Sequence, residues 1–380
     1  MVTSSNGTDP APRTPTARRR TVWLHIGLHK TASTFIQETL QSNAQALARQ
    51  GFLYPRAGRL GAGHALLAYP HLPVQRAAEA DVAPHLAAAE GAWAALEEEL
   101  RSQPAPQDII LSSEYFSLVE DVGALQAACA ALGESTRVVV YLRRQDRLLE
   151  AGYNQAVKAG LETRPLLLGP VLPERLDWYR LLERWAGPFG RRNVIVRVFE
   201  EAVAGPGILS DFCAAVGLDP EPLVPSERRN TRLANELLGY RRVENRLGLV
   251  DSRLTQLATR RMRSAGWPDS AVLPAAERRR VVAAFQESNE RVAREYLGRT
   301  DGRLFDTAGL AGPEEAASES AGVGVALAVA WAELDAELAR LRDEVAELRR
   351  ALERTERRCA RPGLRRRLAR WLRRVKRPEG

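Results

Sequence analysis

The sequence predicts an α/β protein: a three-layer parallel sheet with helices on both faces, followed by a C-terminal coiled-coil helix. Three observations predict it. Short β-rich runs alternate with long helix-compatible segments. The first run leads through a tight polar turn into an amphipathic stretch. Near the C-terminus, apolar residues fall on a heptad spacing. In order, Thr21–Gly27 (TVWLHIG) is the first strand candidate, with a helical stretch from about Ser33 to Gln50 behind it. Further strands are expected at Asp108–Ser112, Arg137–Leu142 and Asn193–Phe199. Helical periodicity marks Leu176–Trp185, Ile208–Val216, Leu233–Leu247 and Pro274–Leu297.

The 380 residues suffice for one large core plus appendages, and 45% hydrophobic with 27% charged residues is ordinary for a globular chain. One catalytic domain is expected over 21–310. Residues 1–20, with three Pro and many Ser and Thr, read as a disordered leader, and 311–324 (AGPEEAASESAGVG) as a linker. The coiled coil is expected over 325–358 and a basic amphipathic tail over 359–380. The tail locates the charge: nine Lys or Arg between 361 and 380 face only Glu379, a surplus as large as the whole chain's net +8. The rest is formally neutral, which argues against a nucleic-acid-binding face on the core. Cys129, Cys213 and Cys359 are too few and too scattered for a disulfide framework or a zinc site, so no metal is expected and a reducing cytoplasm fits. No run of about 18 apolar residues occurs, and the polar start lacks the apolar region of a secretory signal.

In the C-terminal segment Trp331, Leu334, Leu338, Leu341, Val345, Leu348 and Leu352 follow a 3,4,3,4,3,4 spacing. With Trp331 and Leu338 at position a, Glu337–Arg342 and Glu344–Arg349 become pairs of opposite sign between parallel copies, so homo-oligomerisation is expected. A single amphipathic helix folding back on the core is the alternative. In the tail, Leu364, Leu368, Trp371, Leu372 and Val375 sit at helical spacing among arginines, a pattern suited to peripheral contact with an anionic membrane. Capture of a polyanionic substrate and plain solvation are its other uses.

Most of the chemical information lies in Leu24–Thr34 (LHIGLHKTAST). A tight turn between a buried strand and a helix presents backbone N–H groups to an anion, and the helix dipole adds partial positive charge. Lys30 supplies a point charge; Thr31, Ser33 and Thr34 supply hydroxyls. A Walker A loop needs Gly immediately before its Lys, whereas His29 stands there and Gly27 is the only Gly nearby. Nor does a carboxylate suited to Mg²⁺ follow a strand, since Asp108 precedes its own.

The strand with His-Lys-Thr-Ala-Ser-Thr resembles the 5′-phosphosulfate loop of sulfotransferases that use 3′-phosphoadenosine 5′-phosphosulfate, where K-[ST]-G-[ST]-[ST] is usual. Lys30, Thr31, Ser33 and Thr34 match; Ala32 replaces the commonest Gly, so the loop is expected to avoid positive φ at residue 32. Val138–Gln155 (VVVYLRRQDRLLEAGYNQ) resembles the family's 3′-phosphate element, a strand ending in Arg that runs into a helix with a Ser eight residues on. Arg143 fits the Arg. The Ser position falls on Ala151, so Tyr153 or Asn154 substitutes, or Arg143 acts with Arg144 or Arg147. Asn230 falls where the family contributes a late loop to the nucleotide. The resemblance covers roughly 21–300 and is closest in style to bacterial members. It implies a fold related to the P-loop NTPases, a sulfuryl donor that also binds at His29 and Ala32 of the loop, and an acceptor hydroxyl or amine. The cytosolic R-K-G-x-x-G signature is missing, which favours a carbohydrate acceptor.

Sulfuryl transfer needs in-line geometry, a cation at the leaving oxygen and a base at the acceptor. Lys30 is the candidate cation. Glu114, after the strand Ile109–Leu111, and His64, in a Gly/Ala-rich loop placed to lie over the acceptor, are candidate bases. His29 is a third, equally able to pack or hydrogen-bond within the loop. A P-loop kinase or NTPase, and a non-catalytic adaptor acting through the coiled coil and tail, are the competing readings.

Overall fold

The computed structural model describes residues 20–103, 107–227, 232–249, 253–266, 271–310, 319–359 and Arg370. The chain divides into two compact units: Met1–Gln155, Leu166–Arg232 and Val272–Ala316 form one; Ala156–Pro165, Leu233–Ala271 and Ala317–Gly380 form the other. The single domain expected over 21–310 therefore gives up 156–165 and 233–271 to the unit of the C-terminal helix. Composition could not show this, because those segments read as ordinary amphipathic chain.

The first unit is built on five parallel strands: β1 (Thr21–His25), β2 (Phe52–Leu53), β3 (Asp108–Ser112), β4 (Ser135–Leu142) and β5 (Val194–Val198). Their order is β2-β3-β1-β4-β5, so β1 is central, with Leu24 level with Leu111 on one side and Val138 on the other. Four strands lie within two residues of expectation at each end; β2, two residues long, left no pattern to find.

Alternate side chains along the strands feed two cores. Leu24, Ile109, Leu111, Val138 and Val140 pack with the helices Val122–Leu132 and Trp178–Phe189. Ile110, Val139 and Tyr141 face the helices Ser33–Ser42 and Ile208–Val216. Near-continuous apolar runs with both faces covered are what a buried parallel sheet requires. Because β2 and β3 lie to one side of β1 and β4 to the other, the chain reverses its direction of winding at β1. In open parallel sheets, ligands bind outside the carboxyl ends of the strands at such a reversal.

The second unit contains the helices Leu238–Arg246, Arg253–Ser264 and Glu319–Cys359. The last has 41 residues, about 60 Å at 1.5 Å per residue. Its upstream part is anchored: Val329 packs against Ala234, Leu237, Ala258 and Met262, and Glu333 pairs with Arg261 at 2.5 Å. Asn245 Nδ2 donates to the Val157 and Glu162 carbonyls and holds the short 156–165 segment to this unit. Among the described residues, no helix is long and apolar enough to cross a membrane. All of the expected leader but Arg20, most of the linker and all of the basic tail but Cys359 and Arg370 lie outside the described residues.

Candidate active site

The loop leaving β1 turns at the carboxyl edge of the central strand and enters the helix Ser33–Ser42. Gly27 permits the turn: a Cβ there would lie 2.1 Å from Ser33 Oγ. Two non-glycine residues of the loop hold left-handed backbone, Lys30 at φ 65° and Ala32 at φ 62°. The expectation that residue 32 avoids positive φ is thus corrected. The loop keeps the bend that glycine makes easily and forces alanine into it, at a cost of about 1–2 kcal/mol per such residue. Strain of this kind is retained where surrounding structure fixes a conformation that something else needs.

Ala32 is also the N-cap, and no side chain caps this helix. The first N–H groups of a helix have no partner within it. The Ser/Thr cluster does not act as an ordinary cap. The hydroxyls behave differently from expectation. Thr31 is fully buried and its Oγ1 donates inward to the Leu28 carbonyl at 2.7 Å; Ser33 Oγ makes a longer contact, 3.4 Å, to the same oxygen. They brace the turn, while Thr34 is exposed beside it. The expectation that the Thr31 and Ser33 hydroxyls face an anion is thus corrected: both are spent inside the loop.

From β4, Arg143 reaches the same loop: its Nη1 donates to the Lys30 carbonyl at 2.6 Å. Its guanidinium lies over the Phe199 ring at 4.9 Å, and Nε is 3.9 Å from Glu200 Oε1. Burial pulls its pKa down to about 10, opposed by Glu200 and reinforced by Arg232 and Arg147, so it stays cationic at neutral pH. Its Nε is buried with no hydrogen-bond partner. The neighbouring arginine has another role. Arg144 is 3% exposed, binds Asp146 through Nε and Nη2 at 2.7 and 2.9 Å, and donates to the Asp306 carbonyl. It ties the chain together and is removed from the anion-binding set; Arg147 is exposed. Ala151 offers no hydroxyl and is buried, as are Tyr153 and Asn154 on the same helix. Asn230 lies outside the described residues.

The two candidate histidines prove opposite in character. His64 is fully buried. Its Nδ1 accepts from the Ser112 N–H at 3.1 Å, and its Nε2 lies 3.0 Å from the Pro55 carbonyl, which fixes a neutral ring protonated at Nε2. Burial pushes its pKa down to about 3. It pins the loop after β2 onto the end of β3, and the expectation that it overlies the acceptor is corrected. Sequence gave no sign of this, because the loop around it is rich in Gly and Ala. His29, beside Lys30, is half exposed, and its Nδ1 lies 2.6 Å from Glu114 Oε2. Glu114 opens the short helical turn Glu114–Leu118 after β3, with Ser113 capping that turn by accepting from the Tyr115 N–H. Burial raises the Glu114 pKa, but the His29 hydrogen bond and the charges of His29, Lys30 and His25 outweigh it, and the net displacement is downward.

Three residues escaped sequence reasoning. Phe199 and Glu200, directly after β5, seat Arg143; their place at a strand's carboxyl end was the available signal. His25 closes β1 with Nδ1 2.8 Å from Ser112 Oγ, and burial lowers its pKa to about 4. Among the described residues, no group of three or more His, Cys, Asp or Glu is placed to hold a metal ion.

No family model matches the chain. A protein of Archaeoglobus fulgidus described as uncharacterized is 30% identical over 171 residues, 43% of this chain and 46% of that protein. The match thus spans under half the length of that relative. Among solved structures, the chain is similar to a sulfotransferase from Alicyclobacillus acidocaldarius, with TM-score 0.35, 14% identity, and 63% of this chain and 97% of that one covered. It is also similar to the sulfotransferase domain of the Synechococcus PCC 7002 olefin synthase, with TM-score 0.31, 11% identity, and 54% and 76% covered. A third similarity is to the sulfotransferase domain of the curacin biosynthetic pathway, with TM-score 0.32, 12% identity, and 71% and 98% covered.

Proposed function

We propose that the chain is a sulfotransferase that moves a sulfuryl group from 3′-phosphoadenosine 5′-phosphosulfate to an acceptor hydroxyl or amine, with a carbohydrate as the acceptor class. One observation carries this reading. A strained, uncapped loop at the carboxyl edge of the central strand carries Lys30 and is tied through the Lys30 carbonyl to Arg143, so two cationic residues from adjacent strands are joined at one bend. The 5′-phosphosulfate is assigned to the bend and Lys30, and the 3′-phosphate to Arg143, whose Nε carries no hydrogen-bond partner.

In the reaction, the sulfur's bond to the 5′-phosphate oxygen breaks as the acceptor oxygen or nitrogen bonds to sulfur, and 3′-phosphoadenosine 5′-phosphate departs. Lys30 offsets charge on the departing oxygen. His29 is assigned the acceptor proton. Glu114, 2.6 Å from its Nδ1, holds that nitrogen protonated, leaves the Nε2 lone pair as base, and stabilises the cation that forms. Glu114, first a candidate base, becomes a positioning group in this reading.

The test is a calorimetric titration with 3′-phosphoadenosine 5′-phosphate, compared with ATP and Mg²⁺, on wild type and Lys30→Ala. Binding of the former that weakens at least tenfold in the variant is expected. A response to ATP with Mg²⁺ alone would select a nucleoside-triphosphate enzyme, and no response to either would select the adaptor.

A further inference from the structure

Within the second unit, the helix Glu319–Cys359 leaves its apolar seam open. Leu338, Leu341 and Val345 are 43%, 45% and 47% exposed, and Leu348 and Leu352 are 64% and 61% exposed. Upstream, the helix is anchored through Val329 and Glu333. A continuous apolar stripe of three heptads in water calls for a partner.

The charges beside the seam select it. With residues 331, 338, 345 and 352 at position a and 334, 341 and 348 at d, Glu337 and Glu344 stand at g and Arg342 and Arg349 at e. A parallel, in-register copy sets Glu337 against Arg342 and Glu344 against Arg349 on both sides of the seam. An antiparallel copy sets g against g and e against e, so glutamate meets glutamate and arginine meets arginine. Leucine at every d position, with Val345 among the a positions, favours two strands over three. Glu337 binds Arg340 at 2.7 Å within its own helix, but both side chains are more than half exposed, and such a contact is weak enough to be exchanged.

We infer that the chain forms a parallel, in-register homodimer through the 331–352 seam. The inference is independent of the sulfuryl-transfer reading. It has a built-in reporter. By count along the sequence, Cys359 takes the next a position, where a parallel pair brings two copies of one residue together at the axis. Cys129 and Cys213 are fully buried in the first unit and do not compete.

The experiment uses the full chain. Light scattering after size exclusion should give twice the chain mass of 42.0 kDa. Diamide, which takes up the two electrons and two protons released by two thiols, should produce a dimer band that a reductant reverses. Cys359→Ser should abolish the band without changing the solution mass. Glu337→Arg with Glu344→Arg should give monomers, as should Arg342→Glu with Arg349→Glu, and mixing the two variants should restore the dimer. These changes lie on an exposed helix face, and circular dichroism confirms that each variant is folded. A single-chain or threefold mass for the wild type, a dimer that diamide does not link, or indifference to the charge swaps would each overturn the inference.

Discussion

Ser112 meets His25 at the start of the loop after β1 and His64 at the end of the loop after β2, yet the two loops are built on opposite principles. The loop after β2 is internally satisfied. Tyr54 Oη donates to the Ala62 carbonyl at 2.7 Å, Arg59 donates to the Tyr54 and Pro55 carbonyls, and His64 has a partner at each ring nitrogen. The loop after β1 holds two strained residues, an uncapped helix start and a half-exposed histidine. One loop has settled its own electrostatics; the other, on the proposed reading, is arranged for a charge from outside. A histidine's neighbourhood, rather than its presence in a loop at a sheet edge, decides whether it can act as a base.

The contrast can be broken most sharply by deletion on each side. Lys30→Ala and His29→Ala should each lower the rate of sulfuryl transfer by about 10²–10³-fold, measured as single-turnover rates, while melting temperatures stay close to wild type. His64→Ala should do the reverse on stability. It leaves a cavity and unpairs the Ser112 N–H and the Pro55 carbonyl, costing about 2–4 kcal/mol in urea unfolding. Equal stability losses for His29→Ala and His64→Ala would erase the distinction.

Acid sharpens it further. His64 and His25 are held neutral in the fold, with pKa values lowered to about 3 and about 4 from an ordinary 6.5. Between pH 6.5 and those values the unfolded chain takes up protons that the folded chain refuses. Their contribution is therefore fully present above pH 6.5 and falls by about 1.4 kcal/mol per pH unit for each histidine below it. Urea titrations at pH 7 and pH 5 measure that slope, and His64→Gln should remove one histidine's share. The smallest effect belongs to Ala32→Gly. Relief of the left-handed alanine, less the added freedom of the unfolded chain, should stabilise the fold by about 0.5–1 kcal/mol, read from the shift in urea midpoint.

The sheet was legible because buried parallel strands are near-continuous apolar runs, and β1, β3, β4 and β5 each carry one. The loop after β1 stood out because Lys30 and its hydroxyl-bearing neighbours sit in sequence directly after the first of them. What lay hidden depends on contacts across the chain. Arg143 and Arg144 are adjacent and alike in sequence, but one is taken by Asp146 and the other reaches Lys30. Glu114 stands 85 positions from His29, and no local pattern announces a 2.6 Å pair at that separation. The positive φ of Ala32 went against the residue's own preference, which is where local rules fail at sites held in shape by their surroundings.

Arg143 and Lys30 are 113 positions apart, yet one hydrogen bond joins the guanidinium of the first to the main chain of the second. Neither can relocate alone. If the proposed donor binds as assigned, a phosphate that draws the arginine toward itself also tugs on the peptide that carries the ammonium group, so the far end of the nucleotide helps set the aim of the near end. A donor lacking its 3′-phosphate would lose more than one ionic contact: it would meet a bend that had not been trued.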